Sequence, residues 1–155
     1  MMKRILKIVI AASVVIVFFA SVLYVQKIDC ENFINEISAL NKQKEFSISF
    51  WEIFNPYLGG KIVELRKSYA SAYIETFRKY DISTDDINER LDEIWNEYKV
   101  YPLLAWIIYP LIWQKLRWGY YKEKALELAS QRCKAKGSRI KNIMMEEFKS
   151  VSDNL

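Results

Sequence analysis

The chain has 155 residues, 52% of them apolar, and a formal charge of +4. That is room for one domain, and with four glycines and three prolines it excludes long disordered linkers and collagen-like repeats. With no histidine, it also lacks the commonest general base and metal ligand.

The charge is unevenly spread. Residues 1–25 carry three basic residues and no acid. Residues 26–99 carry ten Lys/Arg against fourteen Asp/Glu, and residues 115–155 carry ten against five. Basic ends around an acidic middle match a chain that crosses a membrane twice with both ends in the cytoplasm.

Residues 1–7 form a basic, cytoplasmic N-terminus through Lys3, Arg4 and Lys7. Residues 8–26, IVIAASVVIVFFASVLYVQ, hold no charge over nineteen positions. As a helix they cover about 28 Å, close to the ~30 Å hydrocarbon core. The run is long for a signal-peptide core, and Phe18 and Phe19 spoil the small-x-small cleavage patterns at Ala20 and Ser21. An uncleaved transmembrane anchor is therefore expected.

Residues 27–99 read as an acidic, extracytoplasmic helical segment. Ile28, Phe33, Ile34, Ile37 and Leu40 continue a helical period beyond the anchor. FSISFWEIF, 46–54, reads as a short strand or an aromatic connector. The spacing of Ile62, Leu65, Tyr69, Tyr73 and Phe77 predicts a helix over 61–80. Residues 81–84 predict a turn, with Ser83 or Thr84 capping the next helix. That helix has Ile87, Leu91, Ile94, Trp95 and Tyr98 on one side and Asp85, Asp86, Glu89, Asp92, Glu93 and Glu97 on the other. The acids lack the alternation and central glycine of an EF-hand loop, so they read as a solvated face rather than a divalent-cation site.

Residues 100–117 hold the second apolar block. Val100 to Gln114 is short for a crossing, but the span from Lys99 to Arg117 reaches about 28 Å if the basic side chains snorkel. Pro102 fits a first helical turn, and Pro110 predicts an interior kink. Three readings stand: a kinked transmembrane helix returning the chain to the cytoplasm, an interfacial helix, or the core helix of an aqueous domain. The flanking charges favour the crossing. Trp95, Trp106, Tyr109 and Trp113 share a helical face and are the candidate contacts with a partner, because Trp and Tyr dominate binding hot spots.

Residues 118–155 read as a basic amphipathic tail in the cytoplasm. A helix over 120–136, stopped by Gly137, places Ala125, Leu128, Ala129 and Cys133 on one side. A further helix, capped by Ser138, aligns Ile140, Ile143, Met144, Phe148 and Val151. Arg132, Lys134, Lys136, Arg139 and Lys141 are the candidate lipid head-group contacts. No nucleic-acid motif accompanies them, so nucleic acid is not an expected partner.

Two crossings place Cys30 and Cys133 on opposite sides of the membrane, where they cannot pair. There is no G-x-S-x-G, phosphate-cradling glycine loop, C-x-x-C or H-E-x-x-H. No cofactor and no enzymatic activity are expected. The expected whole is an all-α membrane protein. It has an N-terminal transmembrane helix, an extracytoplasmic helical segment, a second kinked transmembrane or interfacial helix, and a basic helical tail. Its place would be a bacterial inner (plasma) membrane, with the chain bacterial or phage-encoded. Its partners would be the lipid bilayer and another membrane or envelope protein. It would block or protect that component, in the manner of superinfection exclusion or toxin or bacteriocin immunity. The alternative is an accessory structural subunit of a larger membrane complex. A carboxylate enzyme built on the acidic helix is a third and weaker reading.

Overall fold

The computed structural model describes residues 2–47, 58–98 and 110–153. Among the described residues there are four helices and no strand: α1 (Met2–Gln43), α2 (Leu58–Lys79), α3 (Ile87–Glu97) and α4 (Pro110–Asp153). The chain divides into two compact units, one of Met1–Asn32 with Cys133–Leu155, the other Phe33–Arg132. Helices α1 and α4 contribute to both.

The unit Phe33–Arg132 is built by four amphipathic stripes. Phe33, Ile37 and Leu40 come from α1, and Ile62, Tyr69, Tyr73 and Phe77 from α2. Helix α3 adds Ile87, Leu91 and Trp95, and α4 adds Trp118, Tyr121, Ala125, Leu128 and Ala129. All are buried at intervals of three, four or seven residues, the period that puts side chains on one helical face. Aromatic rings dominate. Phe33 meets Phe77 at 5.0 Å between ring centroids, Phe77 meets Tyr73 at 4.6 Å, and Tyr73 meets Tyr69 at 5.9 Å. Tyr69 touches Trp118 and Tyr121 at 5.5 and 5.4 Å, and Trp95 closes the series against Tyr121 at 5.5 Å.

The polar tips of these rings are satisfied. Tyr69 donates to Asn41 Oδ1 at 2.6 Å, and Tyr73 to the Ala125 carbonyl at 2.7 Å. Trp118 Nε1 donates to the Lys44 carbonyl at 2.9 Å. Asn41 and Lys122 exchange side-chain-to-carbonyl bonds at 3.0 and 2.7 Å, tying α1 to α4. A buried Tyr or Trp without such a partner would lose the desolvation energy of its polar tip.

The predicted turn after α2 is present, with Asp81 at φ 51°. The predicted cap is not. Helix α3 begins at Ile87 behind Asp86, which lies at φ 57° and makes no side-chain capping bond. Ser83 is spent earlier, its Oγ accepting the Asp85 N–H at 3.3 Å. Of the 46–54 connector, only Phe46 and Ser47 lie within the described residues, and both are non-helical.

Helix α4 departs from the expected segmentation. Its described part begins at Pro110, so the kink expected there lies at the edge of the described residues. It then runs unbroken through Gly119, a residue type unfavourable inside helices, and through Gly137, the expected stop, and neither glycine has positive φ. Residues 100–109 of the expected second crossing lie outside the described residues.

The unit Met1–Asn32 with Cys133–Leu155 pairs α1 with the far end of α4. Cys30 and Cys133 form a disulfide with Cα atoms 5.9 Å apart. Gly137 lies against Gln26, whose amide occupies the space a Cβ would take. Phe19 meets Phe148 edge-on at 6.0 Å. The order of these contacts makes the two segments antiparallel. Covalently joined cysteines stand on one side of any membrane, whereas the two-crossing expectation places them on opposite sides.

Helix α1 is long and apolar enough to cross a membrane or to serve as a signal sequence. Its apolar stretch is not buried by protein: Val14, Ile16, Phe18 and Tyr24 are 64–67% exposed. Ser13 and Ser21 return their hydroxyls to the carbonyls of Val9 and Val17 at 2.8 Å, so neither presents an unpaired donor.

Candidate functional site

Trp95 leaves α3 on the same face as Ile87 and Leu91 and enters the aromatic core, 6% exposed. Two guanidiniums lie over its ring. Arg66 of α2 stands 4.6 Å from the ring centroid and Arg117 of α4 stands 4.2 Å from it. Arg117 is also 5.1 Å from the centroid of Trp113, and its Nε and Nη2 donate to the Trp95 carbonyl at 2.9 and 2.7 Å. That carbonyl belongs to the last turn of α3, where no intrahelical donor remains and the helix dipole is negative. Arg117 therefore acts as a C-terminal cap. Burial, and then the positive charge of Arg66, lower its pKa. Arg66 is balanced by Asp92, its Nη2 lying 2.6 Å from Oδ1.

The four expected partner contacts thus separate. Trp95 is a core residue held between two arginines and offers no free surface. Trp113 is half-buried at the edge of the cluster, and Trp106 and Tyr109 lie outside the described residues. Three buried polar atoms have no hydrogen-bond partner among the described residues: Trp113 Nε1, Gln114 Oε1 and Arg66 Nε. Such atoms are rare in finished interiors. A shared helical face marks Trp95 and Trp113 in the chain, whereas no local pattern marks the two arginines over the Trp95 ring.

The acidic face of α3 is exposed and largely neutralised. Asp92 pairs with Arg66, Asp86 with Arg132 at 2.6 Å, and Glu93 with Arg90 at 2.6 Å. Glu97 accepts from Tyr120 at 3.2 Å. Among the described residues no group of three or more Cys, Asp or Glu is placed to hold a metal ion. Among the described residues, the carboxylate with a lowered pKa is elsewhere: Glu36, held down by its hydrogen bond from Lys79 and a second from Tyr80.

The basic cluster also separates. Arg132 is committed to Asp86. Lys134, Arg139 and Lys141 are exposed, and Lys136 is half-buried, all on α4 beyond the disulfide.

Comparison with known protein families, curated proteins and solved structures finds no match.

Proposed function

We infer that this is a non-enzymatic, single-crossing membrane protein whose helical unit Phe33–Arg132 lies on the extracytoplasmic side and binds another envelope component. The observation that carries this reading is the disulfide between Cys30 and Cys133, four residues beyond the uncharged run that ends at Gln26. Disulfides persist in oxidising compartments, which for a bacterial envelope means outside the inner membrane. Lys3, Arg4 and Lys7 then hold the N-terminus in the cytoplasm. Residues 110–153 join residues 27–98 outside.

The contact surface is the Trp113 edge, where a half-buried indole favours an aromatic or apolar partner. The biological role that fits is blocking or protection of the bound component, as in superinfection exclusion or immunity to a toxin or bacteriocin. This rests on architecture, not on a motif. The alternative role, an accessory subunit of a membrane complex, would use the same edge.

The test is twofold. In intact cells a membrane-impermeant thiol reagent should label neither cysteine before reduction and both after reduction by an impermeant reductant. Labelling of Cys30 alone would overturn the single-crossing topology. Expression in a sensitive host should then confer resistance to a phage or bacteriocin, lost in Trp113→Ala. Unchanged sensitivity with the protein present in the membrane would overturn the protective role, and a stoichiometric complex on purification would favour the accessory subunit.

A further inference from the structure

Helix α1 and the end of α4 set a physical conflict. Beyond Cys133 the tail runs antiparallel to α1, with Gly137 at the level of Gln26 and Phe148 at the level of Phe19. Residues 9–26 of α1 are the membrane-crossing stretch. The tail beside them carries Arg139, Lys141, Glu146, Glu147 and Lys149. Charges at that depth are costly. The pair cannot enter the hydrocarbon together.

From these observations we propose that residues 138–153 form a lipid-surface helix, which leaves α1 at Gly137 and lies on the head groups of the leaflet where α1 emerges. Four features meet at that point. The disulfide fixes the start of the tail beside the end of the apolar run, so the tail is always within reach of the surface. Gly137 and Ser138 form a Gly/Ser pair, one of the few helix-interior sequences that take a sharp bend. Lys134, Arg139 and Lys141 lie exposed near the level of the exit, where anionic phosphates are found. Ile143, Met145 and Phe148 stand 47–61% exposed, apolar surface that the pairing with α1 leaves uncovered. The occupant of this surface is thus an anionic bilayer.

The proposal rests on the reading that α1 crosses the membrane, and the experiment separates the two. The full chain is reconstituted in vesicles of phosphatidylethanolamine and phosphatidylglycerol, with p-benzoylphenylalanine replacing Val14 in one sample and Phe148 in another. Both probes should give lipid adducts. The Phe148 adduct should fall about fivefold or more in the charge-reversed Arg139→Glu/Lys141→Glu chain, and likewise in vesicles of phosphatidylcholine alone, while the Val14 adduct stays constant. A Phe148 probe that crosslinks to the peptide containing Phe19 while Val14 reports lipid would overturn the surface helix and leave the crossing intact. A lipid adduct at Phe148 indifferent to charge reversal would overturn the anionic recognition. Absence of a lipid adduct at Val14 would overturn the crossing and the surface helix together.

Discussion

The indole of Trp95 lies between Arg66 and Arg117, at 4.6 and 4.2 Å, while its own carbonyl takes two hydrogen bonds from Arg117. One residue thus joins α2, α3 and α4. Trp95→Ala should destabilise the unit by about 3–5 kcal/mol, the range for a buried large aromatic, and denaturant unfolding would measure it. Trp113→Ala, at the edge, should cost far less stability and act on partner binding. The core tyrosines set the alkaline limit. Burial raises the pKa of Tyr69 and Tyr73 well above the usual value and pushes that of Tyr121 up to about 12. Because the folded state holds the proton more tightly, these groups favour folding fully below the ordinary value of 10.0. As pH rises from there, the unfolded chain ionises first and stability falls progressively toward about 12. A pH titration followed by tyrosinate absorbance and circular dichroism should show ionisation and unfolding together.

At the level of the helices, amphipathic stripes were legible and helix ends were not. The apolar positions read in 28–40, 61–80 and 120–133 became buried faces, apart from the half-buried Ile34 and Leu65 and from Ile28 at the exposed end of the first. Capping and stop signals failed because a local signal states a preference of about 1 kcal/mol, which packing overrides. Gly119 illustrates this. It sits inside α4 without positive φ, and nothing lies within 4 Å of a Cβ added there. Gly119→Ala should therefore stabilise the protein by roughly 0.5–1 kcal/mol, through reduced backbone entropy in the unfolded chain, as a rise in thermal midpoint would show. Gly137 is different, since an added Cβ would have to displace the Gln26 amide.

For the molecule as a whole, the disulfide is the dominant covalent constraint, closing a loop across 103 residues. Cys30→Ser should lower stability by about 2–5 kcal/mol, measured by chemical denaturation against the oxidised parent and matched by reduction of the parent. A Cys30→Ser chain as stable as the parent would show that the bridge contributes nothing to folding. Composition and period were enough to indicate the helices of the described residues, one apolar helix of membrane length and most of the faces that are buried, because these depend on neighbours a few residues apart. The pairing of Cys30 with Cys133, the unbroken run of α4 and the arginine sandwich around Trp95 depend on residues brought together from 22 to 103 positions apart. No local pattern encodes such distances, so only the packed structure could supply them.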